Sequence, residues 1–324
     1  MFVATYDDRL TLPEYMPAFV HNTTKFCDLY FLSPSQNWSS LGKSSTKFSV
    51  KQIIPDSLPQ FIHTKRLFDS VFVNYSTLPD NFERACFHRW FALNAATTHL
   101  RPTDFICLLD SDFLIGMSPS DVLHEVLTRA DGRDIEFISE WNADENVAIS
   151  PEITILTKQY LFSFCKYILT SYYDQACRGK LTGEYFDRIG NGLPGGICDM
   201  RALASFMQTR AENSFNLRAL PEPFIIGNFN GFLNDEGKAN DWSIVFASSS
   251  QKLCRGSRER RLVGTHFQGS AKTYMPLVTG GPFVLTRELC MQHLELVRLS
   301  STKARKSLIT RAINRLKQIS NRGS

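Results

Sequence analysis

Short β-rich apolar runs, separated by stretches of helical periodicity, organise the first half of the chain. "FVATY" (Phe2 to Tyr6) predicts a strand, and the amphipathic stretch from Leu12 to Val20 suits a helix. Cys27 to Ser33 and Phe48 to Ile54 predict two more strands, separated by a Ser-rich loop. Asn81 to Thr98 carry apolar positions at helical spacing, with Asp80 as the N-cap. The run "FICLLDSDFLI" (Phe105 to Ile115) then predicts a strand that ends in Asp110 and Asp112. Ser118 as cap and Pro119 just inside open another helix, and Asp134 to Ser139 predict a further strand. Strands alternating with helices give an α/β class with a mostly parallel sheet flanked by helices. In open sheets of that kind, ligands bind beyond the carboxyl ends of the strands. Asp7 and Asp8, after the first strand, and Asp110 and Asp112, after the later one, thus fall along one edge.

The second half is less regular, and the stretch from Ala143 to Asn240 reads as irregular and suited to acceptor contacts. Within it, "GNGLPGGICDMRALASFM" reads as a Gly-rich turn, a short strand and a helix. "PFIIGNFNGFLND" and "WSIVFASS" predict strands around a turn, and "RLVGTHFQGSAKTY" a strand running into a Gly-containing loop. No internal repeat is present. Residues 303–324 form a basic amphipathic helix, with Leu308, Ile309, Ala312, Ile313, Leu316 and Ile319 on one face. Such a helix docks on its own domain through the apolar stripe or lies peripherally on an anionic membrane.

Composition narrows the class. Hydrophobic residues make up 43% and charged residues 21%, which excludes a disordered chain. The net charge of +4 is too small to imply nucleic-acid binding. It is unevenly placed, because residues 303–324 hold Lys and Arg and no acid, leaving the preceding body slightly acidic. No apolar run approaches the roughly 20 residues of a membrane span. The start lacks the basic and apolar regions of a secretory signal. The eight cysteines are scattered without CxxC pairs and read as reduced core residues. The expected compartment is cytoplasmic, with peripheral contact at the inner membrane face through residues 303–324.

The acid pair is the chemical problem of the sequence. Two carboxylates one residue apart repel when buried, and a hard divalent cation such as Mg²⁺ or Mn²⁺ relieves that repulsion. The structural alternative is that Asp112 caps the loop while Asp110 pairs with an Arg. A second feature favours the metal. "GTHFQGSAK" places His266, Gly269 and Lys272 after another predicted strand: an imidazole for a transition metal, a glycine for close backbone approach, and a point charge for a phosphate.

"LLDSD" followed downstream by "HFQGSAK" resembles the metal- and diphosphate-binding elements of family-eight glycosyltransferases, which include bacterial lipopolysaccharide galactosyl- and glucosyltransferases. The resemblance spans Met1 to Tyr274, and only these two motifs in it are specific. It implies a GT-A (Rossmann-like) fold, with residues 1–302 as one catalytic domain and 303–324 as an appended helix. Residues 1–139 would be the nucleotide-binding half and 140–302 the acceptor-binding half. It further implies that Asp110, Asp112 and His266 bind Mn²⁺ or Mg²⁺, and that Gly269 and Lys272 hold the diphosphate of a nucleotide-sugar, UDP-linked. "VATYDD" resembles the first strand of that family, so Thr5, Tyr6 and Asp7 would meet the base and ribose. Arg89, in "RACFHRWFAL", and Ser111 would contact the donor. The implied reaction transfers a sugar to a glycan or glycolipid acceptor with retention. Two departures bear on it. Thr273 and Tyr274 follow the lysine where the family often has Pro-Trp, and the segment under the donor sugar is represented only by Asp199 in "CDMRAL" or Asp235 in "FLNDEG". An inverting reaction would use Asp199, Asp235 or Glu140 as its carboxylate. Two other classes compete: a sugar nucleotidyltransferase, disfavoured because "ATYDDRLTLPEY" has no glycine to cradle a triphosphate, and a non-catalytic carbohydrate-binding module on the same fold.

Overall fold

Residues along Phe2–Tyr6 alternate between two apolar cores: Val3 faces one, Phe2 and Ala4 the other. Phe105–Leu109 does the same, with Cys107 and Leu109 on the first side and Ile106 and Leu108 on the second. Strands buried on both faces belong in the middle of a three-layer α/β structure. The computed structural model describes residues 1–34, 48–76, 78–141, 149–191, 197–220, 224–226, 229, 242–247, 250–255, 257–267, 269–278, 283–286 and 288–290. The strands are β1 Phe2–Tyr6, β2 Leu29–Leu32, β3 Val50–Ile53, β4 Phe105–Leu109, β5 Phe113–Ile115, β6 Phe137–Trp141 and β7 Ile149–Thr157. They continue with β8 Ser214–Asn216, β9 Phe224–Ile226, β10 Trp242–Phe246, β11 Gln251–Arg255, β12 Arg258–His266 and β13 Phe283–Thr286. The helices are α1 Met16–Thr23, α2 Pro59–Val71, α3 Asp80–Ala96, α4 Pro119–Arg129, α5 Lys158–Tyr173, α6 Gln175–Gly190 and α7 Asp199–Gln208.

Seven strands form the main sheet in the order β3-β2-β1-β4-β7-β6-β8. The ladders β3·β2, β2·β1, β1·β4 and β6·β8 are parallel, whereas β7 runs antiparallel to both neighbours. The sheet is therefore mainly parallel and flanked by helices, the Rossmann-like α/β arrangement that the sequence predicts. Helices α2, α3, α5 and α7 bury Phe61, Phe68, Phe87, Trp90, Phe164 and Phe206 on one face. Helices α1 and α4 and a second sheet cover the other. That second sheet, β13-β10-β11-β12-β5 with β9 added beside β12, is antiparallel except at β9.

Several boundaries differ from those the sequence predicts. The acid pair does not prolong a strand. Strand β4 stops at Leu109, the Phe113 N–H donates to the Asp110 carbonyl at 3.0 Å, and this closes a tight turn over Asp110-Ser111-Asp112-Phe113. The chain then leaves the main sheet as β5, which was not anticipated. Pro79, not Asp80, occupies the N-cap of α3; Asp80 is the first helical residue and pairs with Arg84 at 2.6 Å. The stretch read as irregular contains α5 and α6, while α7 is the helix expected in "CDMRALASFM". Where a short strand was expected before α7, Ile197 forms an isolated bridge with Tyr75. Residues 303–324 and Asp235 lie outside the described residues. All eight cysteines are free, but only Cys107, Cys165 and Cys290 are buried, so the expectation of core residues holds for those three. Among the described residues no helix is long and apolar enough to cross a membrane.

One ladder carries the site. Strand β12 pairs antiparallel with β5, setting His266 opposite Phe113 and Gly264 opposite Ile115, and the Phe267 N–H donates to the Asp112 carbonyl at 2.9 Å. Gln251 locks the crossing from below, its Nε2 donating to the carbonyls of Leu114 and Ile115 at 3.0 and 2.9 Å. Only a glycine fits at 264, because a Cβ there would lie 2.3 Å from Phe113 Cζ and 2.6 Å from the Leu114 carbonyl oxygen. The Phe113 ring is fully buried and has no free space to enter. Gly264→Ala should therefore cost about 1–3 kcal/mol of stability, the usual range for overpacking a dense core. Urea unfolding measures it, and a change within a few tenths of a kcal/mol would contradict this account of the ladder.

Candidate metal centre

The turn after β4 and the end of β12 converge on one point. Asp110, Asp112 and His266 each offer a ligand atom, and these atoms all lie within 4.8 Å of one another. His266 Nε2 is 3.1 Å from Asp112 Oδ1, and Lys272 Nζ is 2.7 Å from Asp112 Oδ2. Burial would raise the Asp112 carboxyl, but the His266 hydrogen bond and the Lys272 charge outweigh it and hold the group down at about 2. Lys272 gains in return: burial would lower it, yet the Asp112 carboxylate keeps it above the ordinary lysine value. The Asp110 carboxyl behaves oppositely. Burial pushes it up, Arg89 opposes, and the charge of Asp112 pushes it further. Two acids whose surroundings drive them apart mark a site arranged for charge.

Beneath the turn, the Asp110 N–H donates to the Glu152 carbonyl of β7 at 3.0 Å. The Glu152 side chain is completely buried, with Oε2 4.0 Å from His266 Nδ1. Beside the turn, Arg89 of α3 joins two acids. Its Nη1 donates to Asp110 Oδ1 at 2.8 Å and its Nε to Asp199 Oδ2 at 2.9 Å, and Nη2 donates to the same Asp199 oxygen. Trp90 Nε1 adds a third donor to that oxygen at 2.9 Å. Asp199 sits in the first turn of α7, where a negative charge complements the helix dipole. Burial would lower Arg89, but Asp199 and Asp110 hold it well above its ordinary value. Glu83 lies close by, almost fully buried, its carboxyl raised by burial and by Asp199 while Ser76 and Arg89 oppose.

The carboxyl end of β1 borders a cavity of about 410 Å³ lined by Tyr6, Asp8, Ile54, Asp56, Phe61, Lys65 and His88, among others. Burial and the neighbouring Asp8 push the Tyr6 phenol far above its usual range. Asp8 is raised by burial and by Asp7. Asp7 itself is engaged by Arg9, whose main-chain N–H donates to Oδ1 at 3.0 Å and whose Nε donates to it at 2.9 Å. Arg9 also reaches Tyr15, with Nη2 3.3 Å from the hydroxyl, and Lys272 Nζ lies 5.3 Å from the centre of the same ring.

Of the residues singled out by sequence, the fold brings Asp110, Asp112, His266, Lys272, Arg89 and Asp199 into one network. Ser111 is half-buried in the turn, and Gly269 opens the 3₁₀ helix Gly269–Val278 that carries Lys272. Tyr6 lines the neighbouring cavity. Thr5 is fully buried, its hydroxyl without a hydrogen-bond partner among the described residues. Glu140 belongs to a separate pair, accepting from Arg218 Nε at 2.6 Å. Sequence reasoning missed Glu152, Arg9, Trp90 and Glu83. Glu152 had a signal: it is the single charge in the strand ISPEITILT.

No protein-family model matches the chain, and no curated protein does. Solved structures do. Mouse xyloside xylosyltransferase 1, in its apo form, aligns over 67% of this chain and 84% of its own, at 11% identity and a TM-score of 0.43. The galactosyltransferase LgtC in complex with donor and acceptor sugar analogs aligns over 85% and 89%, at 10% identity and a TM-score of 0.42. A glycosyltransferase involved in glycosylation of the major capsid of PBCV-1 aligns over 86% and 100%, at 10% identity and a TM-score of 0.36.

Proposed function

We propose that the chain is a metal-dependent glycosyltransferase, moving a sugar from a nucleotide-sugar, UDP-linked, to a glycan or glycolipid acceptor. The observation that carries this reading is the convergence of Asp110, Asp112 and His266 beside Lys272 and Arg89 at the carboxyl edge of the sheet. Two carboxylates and one imidazole are a donor set suited to Mn²⁺, with Mg²⁺ as the alternative. Bound by these three side chains, the ion would supply Lewis-acid stabilisation of the departing diphosphate.

The chain's own residues account for the rest. Lys272, half-exposed beside the acids, offers its ammonium to the diphosphate as a point charge. Arg9 stands within electrostatic reach of Lys272 and adds a second cation. The cavity beside Tyr6 and Asp8 takes the nucleoside, its apolar wall at Ile54 and Phe61 facing the base. Arg89 and Asp199 fix one another and border the position of the donor sugar. Retention is favoured because two of the three named alternatives for a base are already engaged, Asp199 Oδ2 accepting from Arg89 and Trp90 and Glu140 from Arg218, while Asp235 lies outside the described residues. The nucleotidyltransferase reading is weakened further by Asp8 and Asp56 in the cavity, which would repel a triphosphate. Residues 303–324, basic with an apolar stripe, would add peripheral contact with an anionic membrane.

The test is release of UDP from a panel of UDP-sugars by the purified chain, with Mn²⁺ and with chelator. Metal-dependent release supports the proposal; none across the panel contradicts it.

A further inference from the structure

Two pairs of like charges face each other across one antiparallel ladder. Where β11 pairs with β12, Lys252 lies opposite Arg261 and Arg255 lies opposite Arg258. Directly opposed like charges destabilise a sheet, so a surface kept only for solubility gains nothing from this placement. Residues 251–262 hold five cations, Lys252, Arg255, Arg258, Arg260 and Arg261, and one acid, Glu259. Side chains alternate along a strand, so Arg255, Arg258 and Arg260 share one face with Leu253, and Lys252, Glu259 and Arg261 share the other. The second face is balanced: Lys252 Nζ is 2.8 Å from Glu259 Oε2, and Arg261 Nη2 is 3.4 Å from Glu125 Oε1 of α4. The first face carries three guanidinium groups and no acid of the ladder. Leu253 is buried in the core, whereas Arg258 and Arg260 are exposed, so the cations sit where the hairpin runs out past the core.

The donor site does not account for this charge. Arg258 opens β12 and His266 closes it, and a rise of roughly 3.3 Å per residue sets them about 25 Å apart. A nucleotide-sugar held at the metal centre is too short to span that distance. We propose that the β11–β12 hairpin is a docking surface for an anionic membrane, with Arg255, Arg258 and Arg260 as its contact face. The proposal depends neither on the metal-centre reading nor on residues 303–324. The negative potential of an anionic leaflet falls off within about a Debye length, roughly 8–10 Å, so it acts on a projecting cluster and not on the net charge of the whole chain. Phosphate headgroups placed among the three guanidinium groups relieve the repulsion between Arg255 and Arg258, and each guanidinium presents a planar fork of donors to phosphate oxygens. RNA also offers phosphates, but proteins that hold single strands add aromatic side chains on which the bases stack, and residues 251–262 include none.

The experiment is flotation of the purified full chain with vesicles of equal parts phosphatidylglycerol and phosphatidylcholine, set against vesicles of phosphatidylcholine alone. Wild type is compared with the double variants Arg258→Gln with Arg260→Gln and Arg258→Lys with Arg260→Lys. Each cation near an anionic surface strengthens binding about fivefold, so the glutamine pair should bind the anionic vesicles about 25-fold more weakly. The lysine pair keeps the charge and should bind close to wild type. Wild type alone supplies a second readout: its binding should rise with phosphatidylglycerol content and fall with added salt. Four results overturn the proposal. Wild type may show no preference for the anionic vesicles, or the glutamine pair may bind them as wild type does, which would leave any membrane contact to another part of the chain. Equal loss in the lysine pair would replace a charged docking surface with a site that needs the guanidinium fork. Hairpin-dependent binding to a single-stranded RNA, with none to the vesicles, would overturn the choice of a lipid partner.

Discussion

Asp112→Asn should lower Mn²⁺-dependent turnover of a nucleotide-sugar by at least about 10²-fold, the scale on which preorganised electrostatic groups act. The side chain keeps its size, so the effect isolates charge. In the native site Oδ1 faces His266 Nε2 and Oδ2 faces the Lys272 ammonium. An amide has one acceptor oxygen and one NH₂, so one of these two neighbours must meet a donor instead. The variant should also show a distinct pH signature. Because the folded-state value of Asp112 is held at about 2, below that of the unfolded chain, its contribution to stability is present in full above the ordinary carboxylate range. That contribution is lost as pH falls through about 2. The stability gap between wild type and variant should therefore be widest near neutral pH and close toward strong acid. Steady-state kinetics and unfolding at several pH values check both parts. Turnover unchanged by the substitution would remove Asp112 from the metal centre.

The largest effect on stability is expected at Arg89. Arg89→Ala leaves Asp199 buried with, among the described residues, the Trp90 N–H alone on its Oδ2, and removes the largest opposition to the upward push on Asp110. Removing one partner of a buried ion pair typically costs about 3–5 kcal/mol, since the remaining charge keeps its desolvation penalty without its partner. Combining Arg89→Ala with Asp199→Asn should recover part of that loss, because the second change removes the stranded charge. Chemical denaturation of the single and double variants measures the coupling. A single-variant loss under about 1 kcal/mol would show the pair to be far better solvated than its burial indicates.

The contrast between these residues and the rest of the chain shows what the sequence can disclose. Strands β1 to β4 were legible as short β-rich runs bounded by loop residues, and helix α4 because its apolar residues recur at helical spacing and Ser118 caps it, accepting from the Asp121 N–H at 3.1 Å. Helices α5 and α6 were not. Exposed Phe162 and Tyr173 put apolar residues on both sides of α5, erasing the contrast on which a helical period depends. Helix α6 holds Gly179 and Gly183, which lower its apparent propensity. Strand β5 was hidden inside an apolar run that reads as continuous with β4, although the turn at the acids splits it between two sheets. The site followed the same division. Asp110, Asp112, His266 and Lys272 belong to residue types that carry metal and phosphate chemistry, so their motifs were visible. Their meeting depends on the pairing of β5 with β12 across roughly 150 residues, and such a register is written in Gly264 and Phe113 rather than in any local pattern. Glu152 was overlooked, although it is the single charge in the strand ISPEITILT, because a lone acid in a strand belongs to no motif.

The most direct test of the central claim is thermal unfolding of the purified chain with a UDP-sugar, with Mn²⁺, with both, and with neither. A ligand bound only by the folded state raises its stability, by about 2.7 kcal/mol at a hundredfold excess over the dissociation constant. The account predicts that Mn²⁺ and the UDP-sugar together stabilise the wild type more than the sum of each alone, and that Asp112→Asn abolishes the excess. Stabilisation by a UDP-sugar that is indifferent to Mn²⁺ and survives Asp112→Asn would contradict it.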